Sequence, residues 1–183
     1  MKAFFRYRLQ QRANGVSGNA LADWDRSYSF NADTFLDTDG NGIPDLIFQN
    51  NLGQIAVWYL NASGATTSSA YLYTGSLGDW RVVGAADING DTKTDLVFQN
   101  NAGQVAVWYM NGSGAVTSTG YLSTSSLGDW RIAGIADMNG DGIADLIFQN
   151  NAGQLAAWYL NASGGTTSTG YLYTGALGDW RVR

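Results

Sequence analysis

A unit of about 50 residues is written three times in this 183-residue chain. Residues 80–129 and 130–179 are identical at 33 of 50 positions, and 37–79 falls in the same register. Trp58, Trp108 and Trp158 are therefore equivalent, as are Trp80, Trp130 and Trp180. A repeat of this kind constrains the fold more than composition does. Each unit must bury its apolar surface on a neighbour, and every contact between units must be nearly the same.

Within the unit, WRVVGAAD (80–87) reads as a strand of small and β-branched residues, DLVFQ (95–99) as a second, QVAVWYM (104–110) as a third and AVTSTGYLST (115–124) as a fourth. NNAG (100–103) and NGSG (111–114) supply the Asn and Gly that hairpin turns need for positive φ. Four short antiparallel strands per repeat predict an all-β chain of β-propeller blades. The 24 glycines and the lack of a 3.6-residue apolar period argue against helix. A β-solenoid would repeat on a shorter period, and a sandwich has no reason to repeat, so both are weaker readings.

The chain divides into a non-repeat segment (1–30), three blades (31–79, 80–129 and 130–179) and the first strand of a further blade (180–183). LADW (21–24) echoes LGDW, and Phe30 stands where the register places the repeated Trp. Propellers take roughly four to eight blades, so three and a fraction do not close a ring. Closure can come from N-terminal strands joining GDWRVR in a fourth blade, from several chains sharing one ring, or from a longer parent chain. Residues 1–30 lack the blade pattern, so the expectation is a homo-oligomer or a longer parent, with an isologous dimer removing both open edges at once.

The most polar part of each unit is a nine-residue loop: DTDGNGIPD (37–45), DINGDTKTD (87–95) and DMNGDGIAD (137–145). Positions 1, 3, 5 and 9 carry Asp37, Asp39, Asn41 and Asp45; then Asp87, Asn89, Asp91 and Asp95; then Asp137, Asn139, Asp141 and Asp145. With the backbone carbonyl of position 7 (Ile43, Lys93 or Ile143), these oxygens can wrap one hard cation. Calcium suits them better than magnesium, because a flexible loop offers many protein oxygens. The competing reading is an Asx-rich hairpin loop held by side chain to backbone hydrogen bonds without metal. The second loop departs furthest, with Thr92 in place of a position-6 glycine and the Lys93 ammonium nearby, and is expected to bind least well.

All 15 acidic residues are aspartates, nine of them in these loops, and the net charge is −5. Cations are the expected partners and nucleic acid is not. The N-terminal cluster Lys2, Arg6, Arg8 and Arg12 reads as a solvated strand or tail. The chain has no cysteine, histidine or glutamate. That removes disulfides, thiolate chemistry, the usual zinc ligands and the Ser-His-Asp arrangement, so a non-catalytic role is expected. The start MKAFFRYRLQQRANG lacks the apolar stretch of a secretion signal, and no segment approaches membrane-spanning length. A soluble chain is expected, with any leader removed or upstream on a longer parent.

The run WRIAGIADMNGDGIADLIFQNNAGQLAAWYLNASG (130–164) resembles the FG-GAP/VCBS class of propeller repeat, found in the integrin alpha-chain propeller and in many bacterial surface and secreted proteins. The likeness rests on the small-residue strand with Gly134, the D-x-N-G-D-G-x-x-D loop, the D-L-hydrophobic strand and the G-Q-x-A-x-W strand, and it extends over residues 31–183. It implies a calcium ion in the hairpin between the first two strands of each blade, on the loop positions named above, and an extracellular or cell-surface setting. The first unit departs from the pattern, with Thr34 in the glycine position of its opening strand.

Trp58, Trp108 and Trp158 are each followed by Tyr, so the two rings face opposite sides of a strand; one should pack between blades and the other can be exposed. Trp80, Trp130 and Trp180, each between Asp and Arg at a blade entrance, are candidates to stack on a sugar ring. Some propeller lectins with similar repeats bind sugars in clefts between blades. The N-A-S and N-G-S sequons at Asn61, Asn111 and Asn161 sit in turns that call for Asn in any case. The expectation is a calcium-binding module for extracellular adhesion or recognition of a protein or glycan. The alternatives are a sugar-binding propeller lectin, a scaffold part of a secreted enzyme, or an amplified or engineered repeat without ligand.

Overall fold

A computed structural model describes residues 37–182. The non-repeat segment 1–30, the opening strand of the first unit with Thr34, and Arg183 lie outside the described residues. The described residues form eleven strands: β1 Leu46–Gln49, β2 Ile55–Leu60, β3 Thr66–Tyr73, β4 Arg81–Ala86, β5 Asp95–Gln99, β6 Val105–Met110, β7 Val116–Ser123, β8 Arg131–Ala136, β9 Asp145–Gln149, β10 Leu155–Leu160 and β11 Thr166–Tyr173. They build three antiparallel sheets, β1-β2-β3, β4-β5-β6-β7 and β8-β9-β10-β11, each strand paired with its neighbours in chain order. The predicted strands of the second unit stand where the sequence placed them, and the architecture is all-β and propeller-like, with the sheets not closed into a ring. Among the described residues no helix is long and apolar enough to cross a membrane.

The small-residue strand has a packing reason. The pairing of β4 with β5 shifts between Val82 and Gly84, so Gly84 falls opposite Val97, and the same shift recurs between Ile132 and Gly134 on β8. A Cβ at Gly84 would lie 2.6 Å from Cδ1 of Ile135. The first strands of adjacent sheets thus approach closely at that point, and a side chain at Gly84 would have to displace the end of Ile135.

The core lies between sheets. Ile47, Ile55 and Val57 of the first sheet pack with Val82, Leu96, Phe98 and Met110 of the second. Val97, Val105 and Val107, from the opposite face of the second sheet, pack with Leu146, Phe148 and Leu160 of the third. Every residue of β5 is consequently buried. Period-2 alternation is suppressed wherever a sheet has neighbours on both sides.

Candidate metal loops and inter-blade clefts

In the first loop Asp37 Oδ1 accepts the backbone N–H groups of Gly40 (2.7 Å) and Asn41 (3.0 Å), and Oδ2 accepts that of Gly42 (2.7 Å). Asp39 Oδ1 accepts the N–H of Asn41 (3.1 Å), and Asn41 Oδ1 that of Ile43 (2.7 Å). Each polar side chain at position 1, 3 or 5 therefore closes a turn over the next residues. The same bonds recur on Asp87, Asn89 and Asp91 and on Asp137, Asn139 and Asp141. In the exposed Asp137, the N–H groups led by Gly142 hold the carboxyl below its usual range, so it stays anionic.

The position-9 aspartates do something the spacing did not reveal. Asp45, Asp95 and Asp145 are buried, and each spans two chain segments. Asp45 Oδ2 accepts the N–H of Thr38 (2.9 Å) and Oδ1 that of Leu60 (3.0 Å). Asp95 joins Ile88 (3.1 Å) to Met110 (2.9 Å), and Asp145 joins Met138 (2.9 Å) to Leu160 (2.9 Å). This carboxylate ties the loop to the end of the strand two places on. Burial pushes Asp95 up to about 6; the N–H bonds from Met110 and Ile88 oppose the shift, while the charges of Asp91 and Asp87 add to it. Burial, then Asp45 and Asp39, raises Tyr59 in the same way, and burial with Asp95 raises Tyr109.

One carboxylate oxygen from each of Asp37, Asp39 and Asp45 lies within 4.8 Å of the other two; among the described residues this is the acidic group that converges so closely. Oxygens sharing one calcium at roughly 2.4 Å stand no more than about 4.8 Å apart, so this loop fits the ion. The second and third loops have Asn at position 3 and their extra carboxylate at position 5, so an amide oxygen replaces a charge at the point of convergence. Lys93 is exposed, with its alkyl chain over Gly112 of the β6–β7 turn. Ile143 packs against Gly90 of the second loop, bringing those two loops into contact.

Two equivalent clefts open on the second and third sheets, each against the linker that leads into that sheet. One, of about 160 Å³, is lined by Leu77, Trp80, Phe98, Trp108, Thr119 and Tyr121. The other, of about 280 Å³, is lined by Leu127, Trp130, Phe148, Trp158, Thr169 and Tyr171. Trp80 meets Tyr121 edge-on at 5.8 Å and Trp130 meets Tyr171 at 5.9 Å, whereas Trp180 is 76% exposed with no such partner among the described residues. Trp58, Trp108 and Trp158 lean on Phe48, Phe98 and Phe148 at 4.9, 4.7 and 4.8 Å. In the second sheet, Trp108 serves the contact with the first sheet and Tyr109 the contact with the third, so both rings of that pair are core. The sequon asparagines use Oδ1 within their own turns; Asn61, for example, accepts the N–H groups of Ser63 and Ala65.

A further set was missed from sequence. Gln49 Nε2 donates to the carbonyl of Trp80 (2.8 Å) while its Oε1 accepts the N–H of Val82 (2.9 Å). Gln99 holds Trp130 and Ile132 in the same way (3.2 and 2.9 Å), and Gln149 holds Trp180 and Val182 (2.9 and 3.1 Å). Arg81 pairs with Gln99 across β4–β5, so these flanking groups lie on the outer edge of the strand. The first and second sheets thus each cap the open edge of the next with one side-chain amide, and Gln149 holds the chain beyond the third in the same way. The signal was present as a Gln at the same place in every FQNN, but a Gln in a strand normally faces solvent and drew no attention.

Repeated sheets of three or four strands, joined edge to side chain and carrying an acidic loop at one corner, define a propeller-like repeat protein. The family model for the FG-GAP-like repeat matches residues 37–98 and again 87–148, and the chain belongs to that family. Each match runs from the first aspartate of one loop to the core phenylalanine of the next sheet. No curated protein matches the sequence.

Proposed function

We propose that this chain is a calcium-stabilised, non-catalytic propeller module of an extracellular or cell-surface protein, serving adhesion or recognition. The observation that carries the calcium reading is the convergence of Asp37, Asp39 and Asp45 within the spacing one ion allows. Asp37, Asp39, Asn41, Asp45 and the Ile43 carbonyl hold the ion in the first loop. The set beginning at Asp137, with Asn139, Asp141, the Ile143 carbonyl and Asp145, binds more weakly. The set beginning at Asp87, with Asn89, Asp91, the Lys93 carbonyl and Asp95, binds weakest. The ion's role is structural: it offsets the mutual repulsion of the carboxylates and keeps each hairpin shut. A ligand present at about 100 times its Kd stabilises a fold by about 2.7 kcal/mol. Millimolar calcium should therefore raise the melting temperature by several degrees over a chelator, and Asp39→Ala should remove the tightest site seen by calorimetry. Identical melting curves in calcium and chelator would end this reading.

Sugar binding is a second reading, favoured by the two clefts that pair Trp80 with Tyr121 and Trp130 with Tyr171 beside Thr119 and Thr169. Aromatic faces next to hydroxyls suit the apolar face and rim of a pyranose. Titration with a saccharide panel, followed by tryptophan fluorescence, should show binding in the native protein that Trp130→Ala weakens. A flat response across the panel argues against it.

A further inference from the structure

The three sheets differ in which face is covered. The second is buried on both. In the first, Leu46 is 40% exposed and Trp58 37%, although the equivalent Leu96 and Leu146 are fully buried. These residues stand on the face by which the second and third sheets receive the preceding one. In the third sheet the opposite face is open at its margins, although Ala157 near its middle is buried and Ile147 and Leu155 are half-buried. Met138 is 42% exposed where the equivalent Ile88 is fully buried, and Leu172 and Tyr173 are exposed where Leu72 and Tyr73 pack into the core. The receiving face of one end and the presenting face of the other are thus the two halves of a contact that the chain already makes twice internally.

We propose that the receiving face of the first sheet docks, head to tail, on the presenting face of the third sheet of a second copy, and that two copies close one ring. The occupant follows from the repeat. The contact already formed between first and second sheets, including Tyr73 edge-on to Trp108 at 5.5 Å, is reproduced by Tyr173 against Trp58 of the next copy. Trp180, clasped by Gln149, meets Tyr71 of that copy as Trp80 meets Tyr121. Two copies supply six of these sheets, within the roughly four to eight that a propeller ring holds; three copies exceed it. The contact uses apolar faces and needs no ligand, so it stands apart from the calcium reading.

The test is sedimentation of the full chain in saturating calcium. The wild type should run at twice the chain mass. Leu46→Glu and Leu172→Glu, each blocking one face, should run at the single-chain mass, and an equimolar mixture should return to twice that mass, because one intact pair of faces remains. A wild-type monomer, or a mixture that stays monomeric, overturns the proposal. A second measurement does not depend on how those variants fold. The chain has no native cysteine, so Tyr71→Cys and Trp180→Cys, both at exposed sites, can be joined by a short bis-maleimide. Covalent dimers should form from the mixture and not from either variant alone; dimers from one variant alone, or none from the mixture, refute head-to-tail docking.

Discussion

Thr92 holds φ at 66°, the one non-glycine among the described residues on that side of the map, where the other two loops place Gly42 and Gly142 at 80° and 86°. The Asp87 carboxylate enforces it, since Oδ2 accepts the Thr92 N–H at 2.7 Å, as it does from glycine elsewhere. A β-branched residue there costs on the order of 1–3 kcal/mol. Thr92→Gly should therefore stabilise the protein by about 1 kcal/mol in urea titration, and no gain would mean the loop relaxes around Thr. Asp95 makes a prediction of opposite kind. Its folded value of about 6 lies above the ordinary 3.8, so the native state binds the extra proton. In the metal-free protein its contribution to stability is full below about pH 4 and lost as pH rises through about 6. The stability difference between wild type and Asp95→Asn, followed in chelator, should shrink in step across that window. A difference constant with pH would rule it out. The loop positions were legible from the Asp, Asn and Gly spacing alone. The bridging role of position 9 was not, because its partners Leu60, Met110 and Leu160 are 15 residues away and are reached only through a backbone N–H that any residue supplies.

The strands themselves were readable because turn chemistry cut the chain at every boundary and β-branched and aromatic residues filled the spans. What holds one sheet to the next was not. The Gln49, Gln99 and Gln149 clasps act on backbone groups of a strand some 30 residues on, and a polar residue bonded to the main chain leaves no complementary residue type to spot. Gln99→Leu keeps the bulk but strands the Ile132 N–H and the Trp130 carbonyl. An unmet buried polar group costs about 1–3 kcal/mol. Loss of that order is expected by urea titration, with faster hydrogen exchange at the Ile132 amide than elsewhere in β8. Unchanged exchange at Ile132 would show that the edge is held by something else.

At the level of the molecule, the described sheets form a row in which each touches only its neighbours, so stability is close to a sum of sheets and contacts. Phe98, fully enclosed between the first and second sheets, should cost about 3–5 kcal/mol when replaced by alanine. The loss should register in hydrogen exchange of β1 to β7 before that of β9 to β11; uniform loss across all three sheets would indicate a single cooperative unit instead. The clasps carry one more consequence. The second and third units each bear both the amide that grips and the Trp-Arg-Val or Trp-Arg-Ile backbone that is gripped, so a copy of either can follow the other without a new joint being invented. Unequal crossing-over in the gene could lengthen or shorten such a chain by whole units while leaving each junction sound, and 33 shared residues in 50 between neighbouring units are the kind of record that such traffic leaves.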